Sequence, residues 1–187
     1  SNISVEDPEK RLEELRKAPT PTAEVRLAQA HAALELRRRD LVEQIVNEML
    51  IEDPWEWRAV WVAGLSALDA GDFASAQSSF NAVYGQVPGE LAPKLALALA
   101  CERGDEGDIA GALYQTCAST DANYVAAAAF GMARIRAERG DVPGAVQALD
   151  LVPSTSRSYP EARRLRAVQL YESGHGLPAL AQAMDSI

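Results

Sequence analysis

Apolar residues recur every three or four positions through most of the chain, in stretches of about a dozen residues that stop at short polar turns. That periodicity predicts amphipathic helices throughout and no strands. The run Tyr124–Ala129 is apolar enough to suggest a strand, but it continues in helical phase to Arg139. The turns repeat as well as the helices. Gly-Asp pairs stand at Gly71-Asp72, Gly107-Asp108 and Gly140-Asp141, and Gly174 follows with His175 in place of the Asp, giving steps of 36, 33 and 34 residues. Five positions after each Gly comes an alanine: Ala76, Ala112, Ala145 and Ala179.

A period near 34 residues built from two helices and a turn is that of tetratricopeptide (TPR) repeats. The expected fold is all-α: a TPR-type right-handed superhelix of antiparallel helix pairs, about eleven helices in all. Residues 1–21 read as an N-terminal helix and Pro-rich linker, and residues 22–187 as the repeat domain, with pairs near 22–52, 53–88, 89–122, 123–153 and 160–187. Such arrays make binding surfaces more often than active sites.

Local signals place the helix starts. Asp7-Pro8-Glu9 reads as cap, first helical residue and acidic first turn. Ala18-Pro19-Thr20-Pro21 breaks that helix, and Thr20-Pro21 starts the next, through about Leu36. Arg37-Arg38-Arg39-Asp40 is a turn, with the arginines set against a helix C-terminus, before a helix from Leu41 to Ile51. In Asp53-Pro54-Trp55-Glu56 the Asp caps, Pro54 takes the first helical position and Glu56 completes a capping box. Numbering a unit from Trp57 puts small Gly64 at position 8, Gly71 at 15, Ala76 at 20, large Phe80 at 24 and Pro88 at 32. Small residues at 8 and 20 let paired helices touch, and the large residue plugs the interface. The next unit keeps Ala98 and Ala112, with Thr116 in the place of Phe80 and a turn two residues longer; the third has Ala133, Gly140, Ala145, Leu149 and Val152.

Charge narrows the function. With 18 Lys+Arg against 27 Asp+Glu the net charge is −9, which repels phosphate backbones and anionic lipid, so neither nucleic acid nor membrane insertion is expected. Cys101 and Cys117 are spaced neither as metal ligands nor as a disulfide framework and read as small buried residues. His31 and His175 lie near opposite ends, and Asp105-Glu106-Gly107-Asp108 reads as a solvated turn with Asp108 as cap. No nucleophile, acid/base set, phosphate loop or calcium loop is assembled, so the chain is expected to be no enzyme, with no cofactor and no metal site. No apolar run is long enough to span a bilayer and no signal-peptide core is present, which points to the cytoplasm. Ser1-Asn2 reads as a cloning remnant, and the chain, lacking an initiator Met, as a fragment or a short relative.

In TPR geometry the first helix of each pair lines the groove through positions 2, 5, 9 and 12. These are Arg58, Trp61, Leu65 and Leu68; then Ala92, Leu95, Leu99 and Glu102; then Ala127, Phe130, Arg134 and Ala137. The candidates for protein binding are Arg58, Trp61, Leu65, Leu95, Leu99, Phe130 and Arg134. The arginines suit forked bonds to carboxylate or phosphate, and Trp61 and Phe130 suit apolar anchors. The alternative is that the aromatics are inter-repeat core and the arginines solvated. Repeats that bind chaperone tails carry Asn and Lys where Leu65, Leu99 and Arg134 stand, so that ligand class is not expected.

Pro88-Gly89-Glu90-Leu91-Ala92-Pro93-Lys94-Leu95-Ala96-Leu97, with Tyr114-Gln115-Thr116, Ala129-Phe130-Gly131-Met132-Ala133-Arg134, Gly144-Ala145-Val146, Val152-Pro153-Ser154-Thr155-Ser156-Arg157 and Trp55-Glu56-Trp57-Arg58, resembles the C-terminal TPR domain of the actinobacterial soluble serine/threonine protein kinase G family. The resemblance covers about residues 50–170. That family joins a rubredoxin-like metal module, a kinase domain and this repeat domain. Neither kinase motifs nor Cys-x-x-Cys knuckles occur here, so no catalytic or metal residue carries over. The resemblance implies a regulatory region that supports dimerisation and substrate docking. Its partners would be the kinase domain in cis and a small forkhead-associated-domain protein controlling 2-oxoglutarate and glutamate metabolism. The family continues with further helices beyond the place of Ile187. The competing reading is a purely structural dimerisation module whose groove binds nothing.

Overall fold

A computed structural model describes residues 7–174 together with residues 181, 184 and 185. Ten α-helices and one short 3-10 helix, Ala122–Tyr124, are formed among these residues, with no strand. Two compact units divide the chain, residues 1–93 and 94–187.

The first unit holds α1 (Pro8–Leu15), α2 (Ala23–Glu35), α3 (Arg39–Glu52), α4 (Trp57–Asp69) and α5 (Phe73–Gln86). Each helix packs on the next, and α2 also reaches α4, as stacked hairpins require. Ala30, Ala32, Ala33, Val42, Ala59 and Val62 are fully buried between them, and these small side chains let the backbones approach closely. The division of the chain falls in the first turn of α6 (Leu91–Arg103). The second unit continues with α7 (Gly107–Thr120), α8 (Val125–Glu138), α9 (Val142–Leu149) and α10 (Tyr159–Glu172), where α7 packs on α8, α8 on α9 and α9 on α10. Cys101 and Cys117 are free thiols and buried, as expected of small residues spaced neither for a metal nor for a disulfide framework. The expected helix from Leu177 to Met184, and His175, lie largely outside the described residues.

The repeat is more regular in the backbone than in the sequence. One residue per turn adopts a left-handed conformation: Arg37 (φ 57°), Gly71 (φ 78°), Asp105 (φ 62°), Gly140 (φ 76°) and Gly174 (φ 68°), in steps of 34, 34, 35 and 34 residues. The next residue donates its N–H back to the preceding helix in four of these turns: Arg38 to Ala33, Asp72 to Ala67, Glu106 to Cys101 and Asp141 to Arg136, at 2.8–3.0 Å. This is the six-to-one Schellman bond that satisfies a helix's last carbonyls, and the donor residue then caps the following helix. Asp tolerates the left-handed region and Arg does so at greater cost, so two of the five turns lack the expected glycine.

Several expectations shift accordingly. The turn before α7 is Asp105, not Gly107, and it is no longer than the others. Glu106, not Asp108, occupies the cap position, without a side-chain bond. The buried small residue is Ala110 (0% exposed) rather than Ala112, which faces solvent, and the large plug is Tyr114 (1%) rather than Thr116. Helix α2 is capped by Thr22, whose hydroxyl accepts from Val25 N at 3.2 Å, and Thr20 and Pro21 stay in the loop. Helix α3 begins at Arg39, two residues early. Helix α4 is capped by Glu56, while Asp53 instead accepts from Trp55 N at 2.9 Å, closing the turn before it. The arginine run serves neighbouring hairpins more than a helix dipole: Arg37 pairs with Asp69 at 2.9 Å and Arg39 with Asp72 at 2.7 Å.

Asp72 gathers the Arg39 guanidinium with the Ser75 hydroxyl and N–H, and these donors hold its carboxyl at about 2. A carboxyl depressed in the folded state stabilises it fully above the ordinary Asp range, and that stability is lost as pH falls through the folded value. Chemical denaturation between pH 5 and pH 2 is therefore expected to show falling stability, with a shallower fall in Asp72→Asn. Equal slopes would mean the Arg39 pair is matched in the unfolded chain.

Candidate protein-binding site

The groove positions of the first unit fall on one face of α4. Arg58, Trp61 and Leu65 are all half-buried there. Arg58 is not available to a ligand in this state. Its Nε and Nη2 form a fork onto the Glu56 carboxylate at 2.8 and 2.9 Å, and Nη1 reaches Glu24 at 2.9 Å. Glu56 and then Glu24 hold the guanidinium firmly protonated. Trp61 stacks on the buried Phe80 ring, with centroids 5.2 Å apart and planes tilted by 53°. Its inner edge belongs to the core and its outer edge to the surface.

In the second unit Leu95 and Leu99 are half-buried on α6, and Phe130 and Arg134 lie on α8. Glu102 ties the two helices together. Its carboxylate accepts from Arg134 Nε at 2.9 Å and Nη2 at 3.0 Å, and from the Tyr114 hydroxyl at 2.7 Å. Burial raises the Glu102 carboxyl, and the Arg134 and Tyr114 bonds overcome that, leaving it below its usual range. Burial and the carboxylate acceptor keep the Tyr114 hydroxyl protonated. Both predicted groove arginines are thus already paired within the fold.

Arg134 and Phe130 also edge a cleft of about 470 Å³ between α8, α9 and α10. Phe130, Ala133, Ala137, Leu149 and Leu165 supply its apolar lining; Arg134 and Glu161 stand at the rim, with Gln169 adding an amide. Glu161 is itself held by Arg164 at 2.6 and 2.9 Å, so both rim charges are compensated. The sequence register did not name the α10 residues. Counting back from Gly174 as from Gly140 places Glu161 at the groove position of Arg58, but Leu165 and Gln169 lie one step round the helix. A larger cleft, about 930 Å³, runs along α10 past Tyr159, Ala167, Val168, Tyr171 and Met184. No cluster of metal-ligating side chains occurs among the described residues, and no helix there is long and apolar enough to cross a membrane.

Two-residue Schellman turns every 34 or so residues, small residues at the helix crossings and a large plug per hairpin define a tetratricopeptide-repeat protein. Solved structures agree on the fold. YrrB, described as a TPR protein with an unusual peptide-binding site, superposes with a TM-score of 0.67 over 98% of this chain and 93% of that one, at 16% identity. The structure described as MamA MSR-1 C2 superposes with a TM-score of 0.63 over 94% and 96%, also at 16% identity. The family described as protein kinase G tetratricopeptide repeat matches residues 4–184, and the chain belongs to that family. The serine/threonine-protein kinase PknG of Mycobacterium leprae (strain TN) is 39% identical over 149 residues, and that of Mycolicibacterium smegmatis (strain ATCC 700084 / mc(2)155) 38%. Those matches cover 80% of this chain and 19% of each relative, so the chain spans about a fifth of the kinases it resembles.

Proposed function

We propose that this chain is the non-catalytic docking and regulatory region of a cytoplasmic serine/threonine protein kinase, and that its α8–α10 cleft receives an apolar side chain from a protein partner. The observation that carries this reading is the cleft itself. It has apolar walls, one amide, and a rim whose charges are already paired, which favours a Leu-, Met- or Phe-sized anchor over a carboxylate. The partner we propose is the one the resemblance implies, a forkhead-associated-domain substrate, with the kinase domain in cis and a second copy as further associations. Leu95 and Leu99, in the same unit, serve this reading as further contact surface; Trp61 and Leu65 of the first unit are a separate candidate surface, and Arg58, held by Glu56 and Glu24, orders that helix face.

Calorimetric titration of the 187-residue chain with the forkhead-associated-domain protein at physiological salt tests it. Binding in the micromolar range is expected, and Ala137→Phe, which fills the cleft without deleting a core side chain, is expected to weaken it about tenfold or more. Affinity unchanged by Ala137→Phe moves docking elsewhere. No heat at two temperatures rejects docking of this partner.

The exposed Tyr171 (67%) and Met184 (65%) beside the larger cleft favour a second reading, a structural dimerisation module. Sedimentation equilibrium showing a dimer that Tyr171→Ser disperses, with no substrate binding, would select it.

A further inference from the structure

The last turn of α3 and the connection to α4 present two large apolar side chains to water, Ile51 at 82% and Trp55 at 76% exposure. The repeat does not ask for them. One repeat later the same register holds Gly85 and Gly89, and one further on Ser119 and Asn123. The backbone at this turn is instead fixed by Asp53, which accepts from Trp55 N, so the indole contributes nothing visible to the turn's closure. Exposing an indole and a sec-butyl group four residues apart costs hydration free energy that the fold does not recover.

The charge around the pair is one-sided. Residues 47–56, Asn-Glu-Met-Leu-Ile-Glu-Asp-Pro-Trp-Glu, hold four carboxylates and no Lys or Arg. Glu52 is neutralised by Arg26 at 2.7 Å and Glu56 by Arg58 at 2.8 Å. Among the described residues Glu48 is exposed with no ion pair, and the Asp53 carboxylate accepts from the Trp55 N–H and meets no Lys or Arg. An exposed tryptophan amid basic residues would suit a lipid surface, but this acidic collar repels anionic headgroups and nucleic-acid phosphates alike.

We propose that Ile51 and Trp55, ringed by Glu48 and Asp53, form a second docking surface for a cationic amphipathic segment of a partner protein, separate from the α8–α10 cleft. The apolar pair inserts among the partner's aliphatic side chains, the indole face takes an Arg or Lys, and the free carboxylates set polarity and speed encounter. This surface does not depend on the cleft reading.

The probes are two synthetic helical peptides with the same leucine face, one bearing lysines and one bearing glutamates on the other. Titrated calorimetrically into the 187-residue chain, the lysine peptide is expected to bind and the glutamate peptide to bind at least about tenfold more weakly, with the difference shrinking in high salt. Ile51→Ser with Trp55→Ser is expected to abolish the lysine-peptide heat at an unchanged melting temperature, and Glu48→Lys to weaken it. Ala137→Phe is expected to leave it unchanged, which separates this surface from the cleft. Equal affinity for the two peptides, no binding of either, or binding indifferent to the serine pair overturns the proposal. So does a dimer in sedimentation equilibrium that disperses in the serine pair, because the occupant is then a second copy.

Discussion

Phe80→Ala is expected to lower the stability of the chain by about 3–5 kcal/mol, read as a reduced urea midpoint at unchanged slope. The ring is fully buried, and it replaces the side chain that Gly64 lacks: a Cβ built on Gly64 would lie 2.6 Å from its Cε1 atom. The same ring also meets Trp61. Ala76 and Ala59, both fully buried, already hold the surrounding helices close, so little room remains for the backbone to collapse into the void. A loss below about 1 kcal/mol would mean that Trp61 swings inward to fill the space. Its fluorescence would then shift to the blue, and the outer edge assigned to partner contact would be gone.

Phe80 also shows how far the sequence carried. Gly64, Gly71, Ala76 and Phe80 sit in the roles their spacing implied, because in that hairpin the turn residue is a glycine and the numbering has an anchor. The following hairpin was misread by two positions for the converse reason. Its left-handed residue is Asp105, which carries no glycine signal, and Gly107 two residues later offered a false one. The error moved the plug from Tyr114 to Thr116 without touching the numbering of Leu95, Leu99 and Glu102, which are counted within the first helix.

What the sequence does not disclose about the arginines is their electrostatic state. Arg58 meets Glu24 across 34 residues, Arg134 meets Glu102 across 32, and Arg39 meets Asp72 across 33. These partners lie one repeat away and no pattern within a single helix reveals them, although the fork on Arg58 comes from Glu56, two residues before it. A groove cation looks free in one repeat and is paired once its neighbour is in place. The α8–α10 cleft was out of reach for a similar reason: its walls come from three helices whose spacing depends on the loop from Asp150 to Ser158. Exposed pairs of this kind add little stability individually. Their effect here is on chemistry, since they hold the guanidinium forks within the fold, which is why the proposed docking rests on apolar contact.

Tyr114 and Gly131 provide the sharpest test of the corrected register. A Cβ placed on Gly131 falls among the Tyr114 ring carbons, so the ring of one hairpin occupies the space left by the missing side chain of the next. Ala98, in the position of Gly64, carries a methyl group that excludes the arrangement Phe80 adopts, and the tyrosine turns toward α8 instead. Gly131→Leu alone is expected to overpack the site and cost about 1–3 kcal/mol. Tyr114→Ala alone is expected to cost about 3–5 kcal/mol by opening a cavity. Together they should cost less than their sum by about 1–3 kcal/mol, because the new leucine grows into the volume the ring vacated. Tyr114→Ala also removes the hydroxyl that donates to Glu102, so the cycle is run a second time from Tyr114→Phe, where the Arg134 fork remains and the coupling reads packing. The same cycle with Thr116→Ala in place of Tyr114→Ala should show no coupling, since Thr116 faces solvent and its hydroxyl donates to the Ala112 carbonyl of its own helix. Coupling at Thr116 and none at Tyr114 would restore Gly107 as the turn and undo the register on which the plug positions rest.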